Sequence, residues 1–454
     1  MRILGEKALL PTGWSNDVLV TISADGRIAD VQANAGNAAY DARYPVLLPA
    51  PANLHSHTFQ RAMAGLTETR SPSGRDSFWT WRELMYRFLD LLSADDIEAI
   101  AAFAFMEMLE AGFGSVAEFH YVHHAPGGAP YENLAELSKR IASAASESGI
   151  GLTLLPVFYR YGGLDRRPLA GGQQRFGNDL ERYAQLFAGA EEAVRLLGAD
   201  ANLGIAPHSL RATAKEDLAE LVQWRPGVPF HMHIAEQERE VEEVLAATGR
   251  RPVEWLLENF GVDGRWCLIH ATHMTSAETE GLAKSGAVAG LCPVTEANLG
   301  DGIFDGARFL QSGGRFGVGS DSNIRITVAE ELRQLEYSQR LRDRARAVLA
   351  DPDQSTGRRL FETALRGGAQ ALGRHCGVLE SGAWADIIAL NPSRFAGSGK
   401  GDGILDGWIF TGGNDAVTDV WSAGRHMVRE GRHVHRERIE RRYAETLAGI
   451  MARI

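Results

Sequence analysis

The stretch Val46-Leu47-Leu48-Pro49-Ala50-Pro51-Ala52-Asn53-Leu54-His55-Ser56-His57 governs how the rest of this 454-residue chain is read. From Val46 to Leu54 it is a buried apolar run, and it ends in two histidines spaced i, i+2. On a β-strand that spacing sends both imidazoles to the same side. At the C-terminal end of a strand inside a barrel, two convergent imidazoles form half a metal site. In a loop after a strand they are ordinary polar residues. The pair alone leaves both readings open, and the rest of the chain has to separate them.

Working outward, the centre of the chain alternates strands and helices. After the histidine strand comes a long connection, then a helix opening at Ser93 with Asp96 as its capping partner and stopping at Gly112. Apolar strand-like runs follow at 115–119, 151–158, 203–206, 229–234, 266–269, 287–291 and 316–319. With the first run there are eight, separated by helix-length sequence, which fits a (β/α)8 barrel with insertions. The active site of such a barrel lies at the C-terminal ends of its strands. The glycine-rich stretch from Gly162 to Gly177 reads as a mobile loop.

The two ends of the chain have a different texture. Val18, Val20 and Ile22 alternate ahead of the Asp25-Gly26 turn, and Ile28 and Val31 follow it. A buried strand recurs at Asp386-Ile387-Ile388-Ala389-Leu390, with further strands at 417–421 and Met427-Val428 before Gly431. The expected organisation is a small β domain from 1–47 and 376–435, a barrel over 48–375 and a C-terminal helix over 436–454. In that helix Ile439, Tyr443, Leu447 and Ile450 fall at helical spacing.

Composition narrows the function classes. Hydrophobic residues at 44% and charged residues at 23% sit in the ordinary globular range. Neither a signal peptide nor a bilayer-spanning run is expected. Cys267, Cys292 and Cys376 are too few and scattered for a disulfide framework, which points to a cytoplasmic protein. A net charge of −11 argues against nucleic acid or an anionic membrane as partner. It also means that an anionic substrate would need locally placed arginines.

The strand ends carry the chemistry. The fifth strand reads His231-Met232-His233-Ile234-Ala235-Glu236, the sixth ends Leu268-Ile269-His270, and the eighth ends Gly319-Ser320-Asp321-Ser322. His55, His57, His233 and Asp321 make an N/N/N/O set that suits zinc with an open position for water. Candidates for substrate contact are Gln60, Arg82, Tyr121, His208 and Arg211. Two arginines near one pocket would suit a dicarboxylate, although an arginine after a strand is more often a surface ion pair.

Over essentially its whole length the sequence resembles the amidohydrolase superfamily. The resemblance implies an α/β fold, a (β/α)8 TIM-like barrel with a small β-sandwich domain built from both chain ends. It implies His55, His57, His233 and Asp321 as metal ligands, with Glu236 as proton shuttle and His270 as catalytic histidine. Asp321 is then both ligand and acceptor of the water's proton. Members with two metals often carry a lysine at the end of strand four; here Ile205-Ala206-Pro207-His208 stands there. One divalent ion, zinc, is therefore expected, and the family also implies a homodimer. His231 reads as a core or supporting histidine, and His273 as loop structure.

Five segments sharpen the match. His55-Ser56-His57-Thr58-Phe59-Gln60-Arg61, Phe78-Trp79-Thr80-Trp81-Arg82, Glu118-Phe119-His120-Tyr121, Ala206-Pro207-His208-Ser209-Leu210-Arg211 and Cys292-Pro293-Val294-Thr295-Glu296-Ala297-Asn298-Leu299-Gly300 resemble the formimidoylglutamate deiminase family. That family implies Gln60, Arg82, Tyr121, His208 and Arg211 as contacts for the glutamyl part of the substrate. The implied reaction is metal-dependent deimination of N-formimino-L-glutamate to N-formyl-L-glutamate and ammonia, in histidine degradation. The alternative is another ammonia-releasing amidohydrolase, a nucleobase or adenosine-type deaminase, which would need contacts to a ring rather than two arginines. A non-catalytic scaffold would be free to lose its ligands, and none is missing. The role of Glu296 stays open. So does the choice between a lid and a fixed wall for 58–92, with its Ser71-Pro72-Ser73-Gly74.

Overall fold

The apolar run ahead of the histidines is two strands, not one. In the computed structural model, which describes residues 1–70, 76–395 and 399–453, Ala42–Pro49 belongs to the terminal domain and Ala52–Ser56 to the barrel. Both strands are buried on both faces over the run, so no polar alternation marks where one sheet hands over to the other. The handover sits at Ala50-Pro51, where the Ala50 N–H is held by Asp386 O at 2.9 Å.

The barrel is built from parallel strands. Ala52–Ser56, Ser115–His120 and Gly151–Phe158 pair in order. The fourth position is two short pieces, Asn202–Leu203 and Ala206–Pro207, both paired with the third strand. Phe230–Ile234, Trp266–His270, Val288–Leu291 and Arg315–Val318 complete the set. Two bridges close the ring: Ile205 with Phe230, and Ser56 with Asp321. The second of these lies at the histidine stretch itself.

Both chain ends contribute to an eight-stranded mixed sheet in the terminal β-sandwich domain. Its alternation explains its apolar strands. In Ile387–Leu390, Ile387 and Ala389 enter the small domain's own core, while Ile388 and Leu390 join the barrel's core. Leu47 and its neighbours Val46 and Leu48 divide the same way. The sheet is thus wedged between two apolar layers, and period two separates them.

The helix Ala94–Glu110 starts with the reciprocal Ser93/Asp96 capping box. The terminal helix Arg436–Met451 packs on it, with Phe103 and Tyr443 stacked at 3.9 Å between ring centroids. The stretch from Gly162 to Gly177 is not a plain loop: it includes a 3-10 turn at Gly171–Arg175. Buried Arg175 pins that turn by donating to the carbonyls of His124 and Leu89. No helix among the described residues is long and apolar enough to cross a membrane.

Candidate metal and substrate site

The histidine stretch is built into the barrel seam. Asp321 N–H donates to His55 O at 3.0 Å, and His57 N–H donates to Asp321 O at 2.9 Å. One aspartate's backbone therefore straddles both histidines. Gly319 permits the approach, since a Cβ there would lie 2.7 Å from His55 O and 2.8 Å from His55 N. Around the seam, Asn53 Nδ2 donates to Ser320 Oγ at 2.6 Å, and Asn323 Nδ2 donates to Ser56 Oγ at 3.1 Å.

Strand ends at the site carry unusual backbone. Ala235, His270, Ala271, Asp321 and Asn323 all have positive φ, between 45° and 68°. Each such non-glycine residue costs about 1–3 kcal/mol and persists only where its surroundings over-determine it. Here the holding bonds are visible: Ala271 N–H donates to Ile234 O, and His273 N–H to Ala235 O.

Two of the three imidazoles, those of His57 and His233, are aimed by their outer nitrogens. His57 Nδ1 donates to Phe119 O at 2.9 Å, and His233 Nδ1 donates to His208 O at 3.0 Å. Each Nε2 lone pair is then left facing inward. His55 Nε2 lies 3.1 Å from His233 Nε2 and 3.5 Å from Asp321 Oδ1, and His57 Nε2 lies 3.4 Å from the same oxygen. Edges of about 3.4 Å are those of a tetrahedron with metal–ligand bonds near 2.0–2.1 Å. Burial pushes the His55 imidazole down to about 3 and holds His57 and His233 below their usual range. Burial alone would raise Asp321, but bonding to His55 and the nearby His270 and His57 keep it ionised. Three neutral imidazoles and one carboxylate converging on a point are the donor set of a divalent cation, so the residues fit the metal.

Two acid–base groups stand beside this point. His270 Nε2 lies 3.8 Å from Glu236 Oε1 and 4.0 Å from Asp321 Oδ2. Burial works against its charge, yet Glu236, Glu296 and Asp321 together lift His270 to about 10. For Glu236, burial raises the carboxyl to about 7 against the pull of His270 and Arg211.

The five proposed substrate contacts meet in one cavity of about 580 Å³, counted with its open mouth. Gln60, Arg82, Tyr121, His208 and Arg211 line it together with His57, His233, Glu236, His270 and Asp321, and His55 lies buried beneath. Gln60 Nε2 donates to the Tyr121 hydroxyl at 2.7 Å. Burial, with Arg211 beside it, keeps His208 neutral. Arg211 is buried, and its Nε and Nη1 have no hydrogen-bond partner. Its Nη2 lies 3.9 Å from Glu236 and 4.0 Å from Glu240. Arg82 forms no ion pair among the described residues. Two arginines that sequence alone would place in surface ion pairs therefore line one cavity. His231 is a core histidine, donating from Nε2 to Ala371 O at 2.8 Å, and His273 donates to Asp301 O in its loop.

Sequence reading left the role of Glu296 open and missed Glu240 and Tyr86. Glu296 accepts from His270 Nδ1 at 3.4 Å and from Cys292 N–H at 3.0 Å. Glu240 is buried and accepts from the N–H groups of Ala235 and Glu236. The signal was present, since Glu240 stands four residues after Glu236, one helical turn on. Tyr86, four residues after Arg82, lines the cavity by the same rule. Of the segment 58–92, residues 71–75 lie outside the described residues; Thr58–Met63 is a 3-10 turn, and Phe78–Leu89 a helix capped by Ser77.

A parallel barrel with such a donor set at its strand ends, joined to a sheet from both termini, defines a metal-dependent hydrolase class. The chain belongs to the Amidohydrolase family, whose pattern matches residues 46–427. Residues 2–44 match the pattern described as the formimidoylglutamate deiminase HutF N-terminal domain. Over 452 residues, 99% of each chain, the sequence is 49% identical to formimidoylglutamate deiminase of Pseudomonas aeruginosa. A more distant relative is the 5-methylthioadenosine/S-adenosylhomocysteine deaminase of Natronomonas pharaonis, 27% identical over 86% of this chain and 84% of that one. Among solved structures, an amidohydrolase from Brucella melitensis superposes with a TM-score of 0.95 at 48% identity, covering 99% of each chain. The fold is also shared with a zinc-bound adenosine deaminase from Xanthomonas campestris, at a TM-score of 0.80 and 19% identity over 99% and 98% of the two chains.

Proposed function

We propose that this enzyme hydrolyses N-formimino-L-glutamate to N-formyl-L-glutamate and ammonia, the deimination step of histidine degradation. The observation that carries the reading is Arg211: a buried guanidinium with two unpartnered donors, in the same cavity as Arg82 and the His/Asp cluster. A buried cation with free N–H groups wants a carboxylate, and two of them want a dicarboxylate. Whole-length similarity to a formimidoylglutamate deiminase supports the same substrate.

In this reading His55, His57, His233 and Asp321 would hold one zinc ion, which would supply an acidified water as nucleophile at neutral pH. Arg82 and Arg211 grip the glutamyl carboxylates, with Gln60, Tyr121 and His208 shaping the wall around them. The cationic formimino end then faces Glu236 and Asp321. Asp321 accepts a proton from the attacking water, and His270 orients that water through Nε2. Water oxygen bonds to the formimino carbon, and the bond from that carbon to the terminal nitrogen breaks. Glu236 gives the departing nitrogen the proton it needs to leave as ammonia.

The enzyme acts as a homodimer in the cytoplasm. Family resemblance supports the first statement, and three free, buried cysteines support the second. Light scattering on the purified protein tests the assembly. The reaction is tested by ammonia release from N-formimino-L-glutamate by zinc-loaded protein, with adenosine and guanine in parallel. Release from the formimino compound alone is expected; release only from a ring substrate would overturn the assignment.

A further inference from the structure

Trp79 stands among three guanidiniums. The guanidinium carbons of Arg82, Arg211 and Arg239 lie 4.6, 5.6 and 4.5 Å from its ring. They come from three parts of the fold: the helix Phe78–Leu89, the turn after the fourth barrel strand, and the helix Glu238–Thr248. Arg82 and Arg211 line the substrate cavity, whereas Arg239 is exposed and pairs with Glu243 one turn on. Like charges at this range repel; Glu240 and Glu236 help to keep Arg211 charged, but neither stands within hydrogen-bond distance of it. Arg82 has no carboxylate partner among the described residues, and those of Arg211 stand at 3.9 and 4.0 Å.

An indole carries negative charge on its faces and attracts cations to them. A ring bordering both cavity arginines can therefore hold them near one another without neutralising either, which a carboxylate could not do. The donors stay free for the substrate. Arg239 packs on the same ring and ties the Phe78–Leu89 helix to the helix that follows Glu236.

We propose that Trp79 is a positioning residue that fixes the spacing of Arg82 and Arg211, and that this spacing makes the site selective for two carboxylates over one. The inference rests on the dicarboxylate reading of the site. It adds the residue that enforces that selectivity.

The test compares the metal-loaded wild-type enzyme with Trp79→Leu and Trp79→Phe. Kinetics are read with N-formimino-L-glutamate, and binding of glutarate and of butyrate is read by calorimetry. Trp79→Leu should raise KM and weaken glutarate binding by about tenfold or more, the loss of two cation–ring contacts. Its kcat and its butyrate affinity should stay within about threefold. Trp79→Phe keeps a ring face and should recover most of the loss; if the leucine variant does not fold, Trp79→Met, which keeps bulk but no ring face, should show the same loss and decides the matter. Unchanged KM and glutarate affinity in a folded variant would overturn the proposal, as would a fall in kcat alone. A wild-type enzyme that releases no ammonia would overturn the assigned reaction instead, while glutarate binding would still decide the role of Trp79.

Discussion

Arg211 and Glu236 show how one side chain's meaning depends on its surroundings. Both are buried and lie 3.9 Å apart, close enough to interact but too far to satisfy each other fully. Substituting Arg211 by Met should raise KM for N-formimino-L-glutamate on the order of 100-fold by removing charge-assisted bonds to a carboxylate. Bound metal, measured by elemental analysis, should be unchanged; its loss would contradict a role in substrate binding. Glu236→Gln keeps the shape but not the proton, so kcat should fall by roughly 10²–10⁴-fold with metal retained. Near-normal turnover in that variant would rule out the proton shuttle. The types and positions of these two residues were legible in the sequence. The unpaired donors of Arg211 and the cavity it shares with Glu236 were not, because the two side chains meet only when the turns after the fourth and fifth strands converge.

At the scale of elements, the second barrel strand braces the first. Glu118 on Ser115–His120 accepts from the backbone N–H and the hydroxyl of Thr58, at 2.8 and 2.7 Å, just past the histidine pair. Burial lifts its carboxyl to about 7 despite those bonds. Between the unfolded pKa near 4.5 and about 7, the folded state therefore binds more protons, and this group's contribution to stability falls as pH rises. Glu118→Gln accepts the same two bonds through its carbonyl oxygen and removes the titration. Relative to wild type it should gain stability between pH 5 and pH 8, by up to about 3 kcal/mol. Urea unfolding at both pH values measures it, and a difference independent of pH would refute the buried charge. Element boundaries were less legible than element types. The eight barrel positions follow from the spacing of apolar runs, but the run from Val46 to Leu54 conceals a change of sheet because Leu47, Leu48 and Leu54 are all buried.

Over the whole molecule, the barrel and the terminal sheet are locked by Arg374. This buried guanidinium lies 3.1 Å from Asp386, at the start of the returning strand, and 3.7 Å from Asp200, just ahead of the fourth barrel strand. Arg374→Met would leave buried Asp386 without its cation, although Asp200 keeps Arg425 at 2.6 Å, and should cost about 3–5 kcal/mol. Calorimetry should show a lower Tm for the protein; an unchanged Tm would mean that the junction is held by its apolar layer alone. The sequence by itself determined the strand-and-helix rhythm, the histidine and aspartate candidates for metal ligation and the arginine candidates, because these are properties of residue type and of spacing along one chain. Only the tertiary structure decided that Asp321 bridges both histidines, that Glu296 backs His270, and that Trp79 borders three arginines drawn from different elements. Such contacts join residues far apart in the chain, and no local periodicity records which strand ends will face each other once the barrel closes.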